Sequence, residues 1–201
     1  PDEGRGSNPL IAAPLRLHDC SLVSDGAAAM VIAPTSDALT ISKRVVEIAG
    51  IGMTTERMPE NVRPNMYELI AAKRAVQQSF AEAGINIKDV DFAEVHDCFT
   101  INQLLSTEAL GLSKDGHAGY DYIEGRFAAN DSCPVNLSGG LKAKGHPVGA
   151  TGASMHALAY KQLVGEPIGQ APLKKQPEIG VAFNVGGSAA TNCVTTLRRL
   201  R

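Results

Sequence analysis

Five glycines and one proline crowd around a single imidazole in the stretch Asn136-Leu-Ser-Gly-Gly-Leu-Lys-Ala-Lys-Gly-His-Pro-Val-Gly-Ala-Thr-Gly152. Glycine at this density lets a backbone take positive φ and approach another group closely, at a cost in chain entropy that a plain connection has no reason to carry. Gly139-Gly140 and Gly145 bracket Lys142 and Lys144, and Pro147 sets φ directly after His146. The imidazole therefore sits on a stiff turn. Beyond Ala150, the residues Ala153, Met155, Ala157, Leu158, Ala159 and Leu163 predict a small-residue helix buried on most sides. The loop delivers His146 to the start of that helix. A glycine-rich turn whose histidine merely caps a helix is the plainer alternative.

Composition sets the outer limits. With 201 residues, 44% of them hydrophobic and 20% charged, the chain has material for one well-cored domain or slightly more. A net charge of −2 argues against non-specific binding to nucleic acid. No apolar run approaches a membrane span and no signal-peptide pattern opens the sequence, so a cytoplasmic setting is expected. Cys20, Cys98, Cys133 and Cys193 form no CxxC pair. Their spacing suits reduced thiols better than a disulfide framework or a zinc site, and no metal is expected.

In chain order, Pro1 to Asn8 is a polar, Gly-containing linker. Asp25-Gly26 marks a turn, and Ala27 to Ala33 predicts an apolar strand stopped by Pro34. Thr35 and Ser36 offer N-caps for a short helix through Leu39. Lys43 to Gly52 predicts a second strand and Met53 to Pro64 a polar loop. Asn65 is a plausible N-cap for a helix with Tyr67, Ile70, Ala71, Ala75 and Phe80 on one face, stopped by Gly84. Val90 to Val95 predicts a third strand. Thr100 then caps a helix with Ile101, Leu104, Leu105 and Ala109 on its apolar face, ended by Gly111. Residues 113 to 135 lack a regular pattern. Glu178 to Phe183 and Ala190 to Leu197, joined at Gly186-Gly187, predict a hairpin. The sum is an α/β layered domain with helices covering a mixed sheet.

Reactive groups in such sheets gather where strands end and helices begin. Three places qualify: Val95-His-Asp-Cys-Phe99, the His146 loop, and Phe183-Asn-Val-Gly-Gly187. They are expected to converge on one pocket. Cys98 lies between a strand and a helix start, where N–H groups and the helix dipole are expected to lower a thiol pKa. His96 beside it can hold a carbonyl oxygen or a water. A buried filler cysteine and a satisfied core histidine are the structural alternative.

The run Ser138-Gly-Gly-Leu-Lys-Ala-Lys-Gly-His-Pro-Val-Gly-Ala-Thr-Gly152 resembles the Gly-His-Pro active-site loop of the thiolase superfamily. His96-Asp-Cys-Phe99 resembles the second motif of its sterol-carrier-protein-2 and archaeal types, and Pro14 to Ala33 is similar to the segment leading out of the family's first half. The resemblance covers nearly the whole chain. It implies the C-terminal half of a fold of two βαβαβαββ halves stacked in five layers, with residues 1–35 as linker and end of the N-terminal half and residues 36–201 as the C-terminal domain. It also implies His146 as activator of a nucleophilic cysteine on the other half, His96 in an oxyanion site, and Cys98 as acid/base. The last role follows because the place of the family's Cys-x-Gly motif here reads Asn184-Val-Gly186. Gly145, Asn184, Gly186 and Gly187 are then expected to bind substrate, with Lys142 and Lys144 near its phosphates.

The function so implied is CoA-dependent Claisen condensation or thiolytic cleavage of 3-oxoacyl-CoA or acetyl-CoA, active only with the other half. The substrate is a coenzyme A thioester and no bound cofactor is expected. Expected partners are the N-terminal half, a second copy in a homo-oligomer of the complete protein, and an OB-fold acyl-CoA-associated protein. The alternatives are retro-aldol cleavage of a steroid-side-chain CoA ester, C-acylation, or a non-catalytic lipid-binding subunit. The residue types suit that chemistry, because a Claisen step needs an acyl-holding nucleophile, a base for the α-proton and donors for developing oxyanions.

Overall fold

The computed structural model describes residues 7–58, 63–172 and 176–201. A short antiparallel ribbon of β1 (Leu10–Ala12) and β2 (Leu15–Arg16) precedes α1 (Thr35–Ile41). There follow β3 (Val46–Thr55), α2 (Ile70–Ala83), β4 (Phe92–Val95), α3 (Thr100–Leu110), α4 (Ala118–Ile123), α5 (Gly140–Lys144), α6 (Thr151–Leu163), β5 (Ile179–Gly186) and β6 (Thr191–Arg199). Four strands form the main sheet in the order β3-β6-β5-β4, with β4 and β5 parallel and the other pairs antiparallel. The expected mixed sheet covered by helices is present. Parallel neighbours need a long crossover, and everything from α3 to α6 lies inside the one between β4 and β5.

Strand parity assigns the two faces. Ala93, Val95, Val181, Phe183, Val185 and Val194 share a core with Ala72, Ala75, Val76 and Phe80 of α2 and with Ala109 and Leu110 of α3. Phe92 and Leu197 point the other way and meet Ala159 and Leu163 of α6, with Leu137. The central strands β5 and β6 are buried along most of their length. At the edge, a Cβ on Gly50 or Gly52 would overlap the Ser79 or Ala75 carbonyl, so α2 lies on β3 at backbone contact. Gln78 and Glu82 of α2 accept from the Met53 and Ile51 N–H groups of β3 at 3.1 and 2.7 Å. These bonds occupy edge donors that would otherwise invite another strand.

Several local expectations change. Ala27–Ala33 is not a strand: it runs without regular structure or strand partner among the described residues, and Val31 is 96% exposed. An apolar run forms a strand only where a neighbour completes its hydrogen bonds. The second strand runs to Thr55, into the expected loop, because β6 is long enough to pair with it throughout. The helix after Asn65 starts only at Ile70, and the Asn65 side chain takes the Tyr67 N–H in a local turn instead. Within 113–135 the short α4 forms, its Ala118 N–H held by the buried Glu108. The helix α6 buries one side only; Ala153, Ala157 and Leu158 are half-buried. Gly84 and Gly111 end α2 and α3 in left-handed conformations, as expected. Of the linker Pro1 to Asn8, residues 1–6 lie outside the described set, as do residues 59–62 of the polar loop.

Candidate active site

The register Val95↔Phe183 between parallel β4 and β5 puts the next residues, His96 and Asn184, side by side on the α6 face of the sheet. The His96 N–H donates to the Phe183 carbonyl at 3.0 Å and its carbonyl accepts from the Asn102 side chain, so its backbone is held at both ends. The ring is buried, and its Nδ1 lies 2.6 Å from Asn184 Oδ1. Burial is the first cause that holds the imidazole down to about 4, with the charges of His146 and Lys144 acting in the same direction and the Asn184 bond opposing them. At neutral pH the ring is uncharged.

The second imidazole arrives from the glycine-rich loop. His146 stands edge-on to His96, with ring centroids 5.0 Å apart and planes at 84°. Its Nδ1 lies 2.7 Å from Thr151 Oγ1, and that hydroxyl donates to the Pro147 carbonyl at 3.0 Å. A hydroxyl whose proton is committed can only accept from the ring. His146 therefore carries its proton on Nδ1 and presents Nε2 as a base. Burial lowers its pKa, the Asp97 carboxylate counteracts this and Lys144 adds to it.

Asp97, which follows His96, holds the loop in place. One of its carboxylate oxygens accepts from the Leu141 N–H at 2.6 Å and the other from the Lys142 N–H at 3.4 Å, at the start of α5. Gly140 passes so close, at φ 64°, that a Cβ there would collide with the carboxylate. Glu94, buried three residues earlier in β4, accepts from the Ser138 N–H and hydroxyl. Glu94 of β4 and Asp97 just beyond the strand thus anchor the loop from below. On its outer side a strap from the N-terminal segment closes over it: Ser21 N–H donates to the Cys98 carbonyl at 2.7 Å and His146 N–H to the Leu22 carbonyl at 3.1 Å. Gly145, at φ 88°, lies against Ser24, where a Cβ would collide with the Ser24 hydroxyl.

All three predicted places meet, but the expected lowering of the Cys98 thiol does not occur. Cys98 is half-buried, and its thiol is pushed up rather than down, first by burial and then by the Asp97 charge, against the backbone N–H groups near it. Burial and a neighbouring anion outweigh the helix start, whose N-cap is Phe99; the Thr100 hydroxyl goes to Asp19 at 2.8 Å instead of capping α3. Lys142 donates to the Cys20 carbonyl and Lys144 to Ser154 Oγ, one bond from each three-donor ammonium. Gly186 ends β5 opposite Thr191, while Gly187 turns the hairpin at φ 56° against Met58. Cys133 is buried and its thiol is pushed up to about 12 by burial and nearby Asp91 and Asp131, as befits a filler. The sequence reading missed Asp97, Glu94 and Thr151 as builders of the site. A carboxylate inside the apolar strand 92–95 was the available signal, since a buried acid needs donors.

The family description "Thiolase C-terminal domain-like" matches residues 52–199. The chain belongs to the thiolase family. It is 36% identical over 193 residues to an acetyl-CoA acetyltransferase of Methanothermobacter thermautotrophicus, covering 96% of this chain and 50% of the relative. It is 34% identical over 194 residues to sterol carrier protein 2 of Rattus norvegicus, covering 92% and 34%. Among solved structures, the Ltp2-ChsH2(DUF35) aldolase superposes with a TM-score of 0.82 at 20% identity, over 96% of this chain and 50% of that one. This thiolase chain therefore spans half or less of the length of these relatives. Among its described residues no helix is long and apolar enough to cross a membrane.

Proposed function

We propose that this chain supplies the acid/base half of a thiolase-class site, which acts on 3-oxoacyl-CoA or acetyl-CoA together with a nucleophilic cysteine carried outside these residues. The observation that carries the reading is the pair His96 and His146, two uncharged imidazoles held edge-on at 5.0 Å where β4 and the glycine loop meet. His146 Nε2 takes the proton of the incoming thiol, and the imidazolium so formed can then donate to the thioester oxygen. Cys98, protonated at neutral pH, serves as proton donor to the carbon leaving group in cleavage and accepts that proton in the reverse step. Residues 1–35 belong, in this reading, to the end of the nucleophile-bearing half. The names of the acetyl-CoA acetyltransferase relatives support the reaction class, and a DUF35-type protein, like that named with the aldolase chain, is a partner worth testing.

Turnover of acetoacetyl-CoA with CoA by the complete protein is the test. His146→Ala should lower kcat by about 10²- to 10⁴-fold with the melting temperature nearly unchanged. Activity within a few-fold of the parent would make the loop structural and remove the reading. Retro-aldol cleavage is the second reading, since a chain of similar fold is named as part of an aldolase and such a step needs a proton carrier but no acyl-holding nucleophile. Acylation of the complete protein by acetyl-CoA, seen by intact mass, excludes it.

A further inference from the structure

The bond between His96 and Asn184 defines more than a position. We propose that Asn184 is a positioning residue that sets the tautomer of His96: its amide oxygen takes the Nδ1 proton, which leaves Nε2 as a hydrogen-bond acceptor. The ring then meets a substrate oxygen only through an O–H or S–H group held on Nε2.

Geometry carries this assignment. His96 and Asn184 are neighbours on adjacent central strands, with the Val95↔Phe183 pairing fixing their register. Asn184 is backed by β6, where it faces Cys193, so the amide cannot drift along the sheet. His96 is clamped by Phe183 and Asn102 at its backbone, as above, and its Nδ1 lies 2.6 Å from Asn184 Oδ1. A neutral imidazole has one N–H. If that proton serves the amide oxygen, Nε2 keeps its lone pair, and Nε2 has no protein partner among the described residues. Burial supports the argument by keeping the ring uncharged at neutral pH. His146 has the same arrangement, with Thr151 in place of Asn184. Two acceptor nitrogens in one site suit a bridging water at rest, whose two O–H groups can serve both, whereas the single S–H of a substrate thiol serves one of them.

The inference refines the proposed thiolase reading and rests on it only for what occupies Nε2; the tautomer itself can be read without turnover. The experiment labels histidine with ¹⁵N in the complete protein and records long-range ¹H–¹⁵N correlations at neutral pH, with His96→Gln assigning the ring. His96 should appear as the Nδ1–H form. In Asn184→Ala the majority should change to Nε2–H, since water serves either nitrogen. In Asn184→Asp, an acceptor-only side chain, Nδ1–H should persist and the ring should titrate at higher pH. A parent His96 in the Nε2–H form would overturn the proposal, as would a folded Asn184→Ala with the parent's tautomer. The parent spectrum decides even if a variant fails to fold. Absence of acyl-CoA turnover alongside an Nδ1–H His96 would sink the functional reading and leave this assignment standing.

Discussion

At pH 7 the buried His96 ring is neutral, whereas in an unfolded chain it would protonate below its ordinary 6.5. With a folded value of about 4, the unfolded state binds the extra proton between those two values, so stability falls as pH drops from 6.5 toward 4. The full effect is on the order of 3 kcal/mol, reached below the folded value. Glu94 and Asp97, both raised mainly by burial, contribute with the opposite sign. The comparison that isolates His96 is therefore between the parent and His96→Gln, melted across this range. The variant should lose stability less steeply on acidification, and identical pH slopes would show that the ring is not held neutral. Cys98 makes a separate prediction. Its raised thiol is a proton donor at neutral pH, so Cys98→Ala in the complete protein should block carbon–carbon cleavage yet still allow an acyl-enzyme to form from acetyl-CoA. Intact mass read beside turnover checks both halves of that statement. An inactive and unacylated variant would assign Cys98 to the nucleophile or to the fold.

The smallest elements have the most chemical leverage. A five-residue helix such as α5 has no stability of its own; its Gly140 N–H goes to Ser138 Oγ and its Leu141 and Lys142 N–H groups go to Asp97, just beyond β4. Asp97→Ala leaves the Leu141 N–H buried without its partner, at a cost of about 1–3 kcal/mol. Because α5 leads directly into His146, the loss of activity should exceed what that destabilisation explains at a temperature where the variant is fully folded. Thermal melting together with kcat at a permissive temperature is the check, and full kcat would mean that His146 is held by Thr151 and the strap alone. The larger element α2 shows a packing logic instead. Its contact with β3 requires Gly50 and Gly52, and its own Gln78 and Glu82 close the sheet edge.

At the scale of the whole chain the strap is the exposed part. Leu22 and Val23 of the strap, Val31 and Ile32 of the apolar run and Val148 of the glycine loop are each more than two-thirds exposed. Large apolar side chains exposed in this number point to a surface that another chain or segment covers. Residues 1–201 alone should therefore bind a hydrophobic dye and self-associate, and should not cleave acetoacetyl-CoA. A monodisperse, dye-silent monomer would contradict the first expectation, and CoA-dependent cleavage by these residues would contradict the second.

What the sequence determined by itself was local. Helix stops at Gly84 and Gly111 need only a left-handed residue, the glycine density around His146 announces a forced loop, and alternation plus a glycine pair announces the final hairpin. All of these depend on neighbours a few positions away. The tertiary structure alone decided whatever depends on groups distant in sequence. Ala27–Ala33 carries a strand's composition, but hydrogen-bond partners, not composition, make a strand. The pairing of His96 with Asn184 follows from a parallel register across 88 positions. The direction of the Cys98 shift turned on burial and on Asp97, which a helix start read from sequence could not weigh. Lys142 and Lys144 also meet a carbonyl and a hydroxyl, of Cys20 and Ser154, that only folding brings within reach.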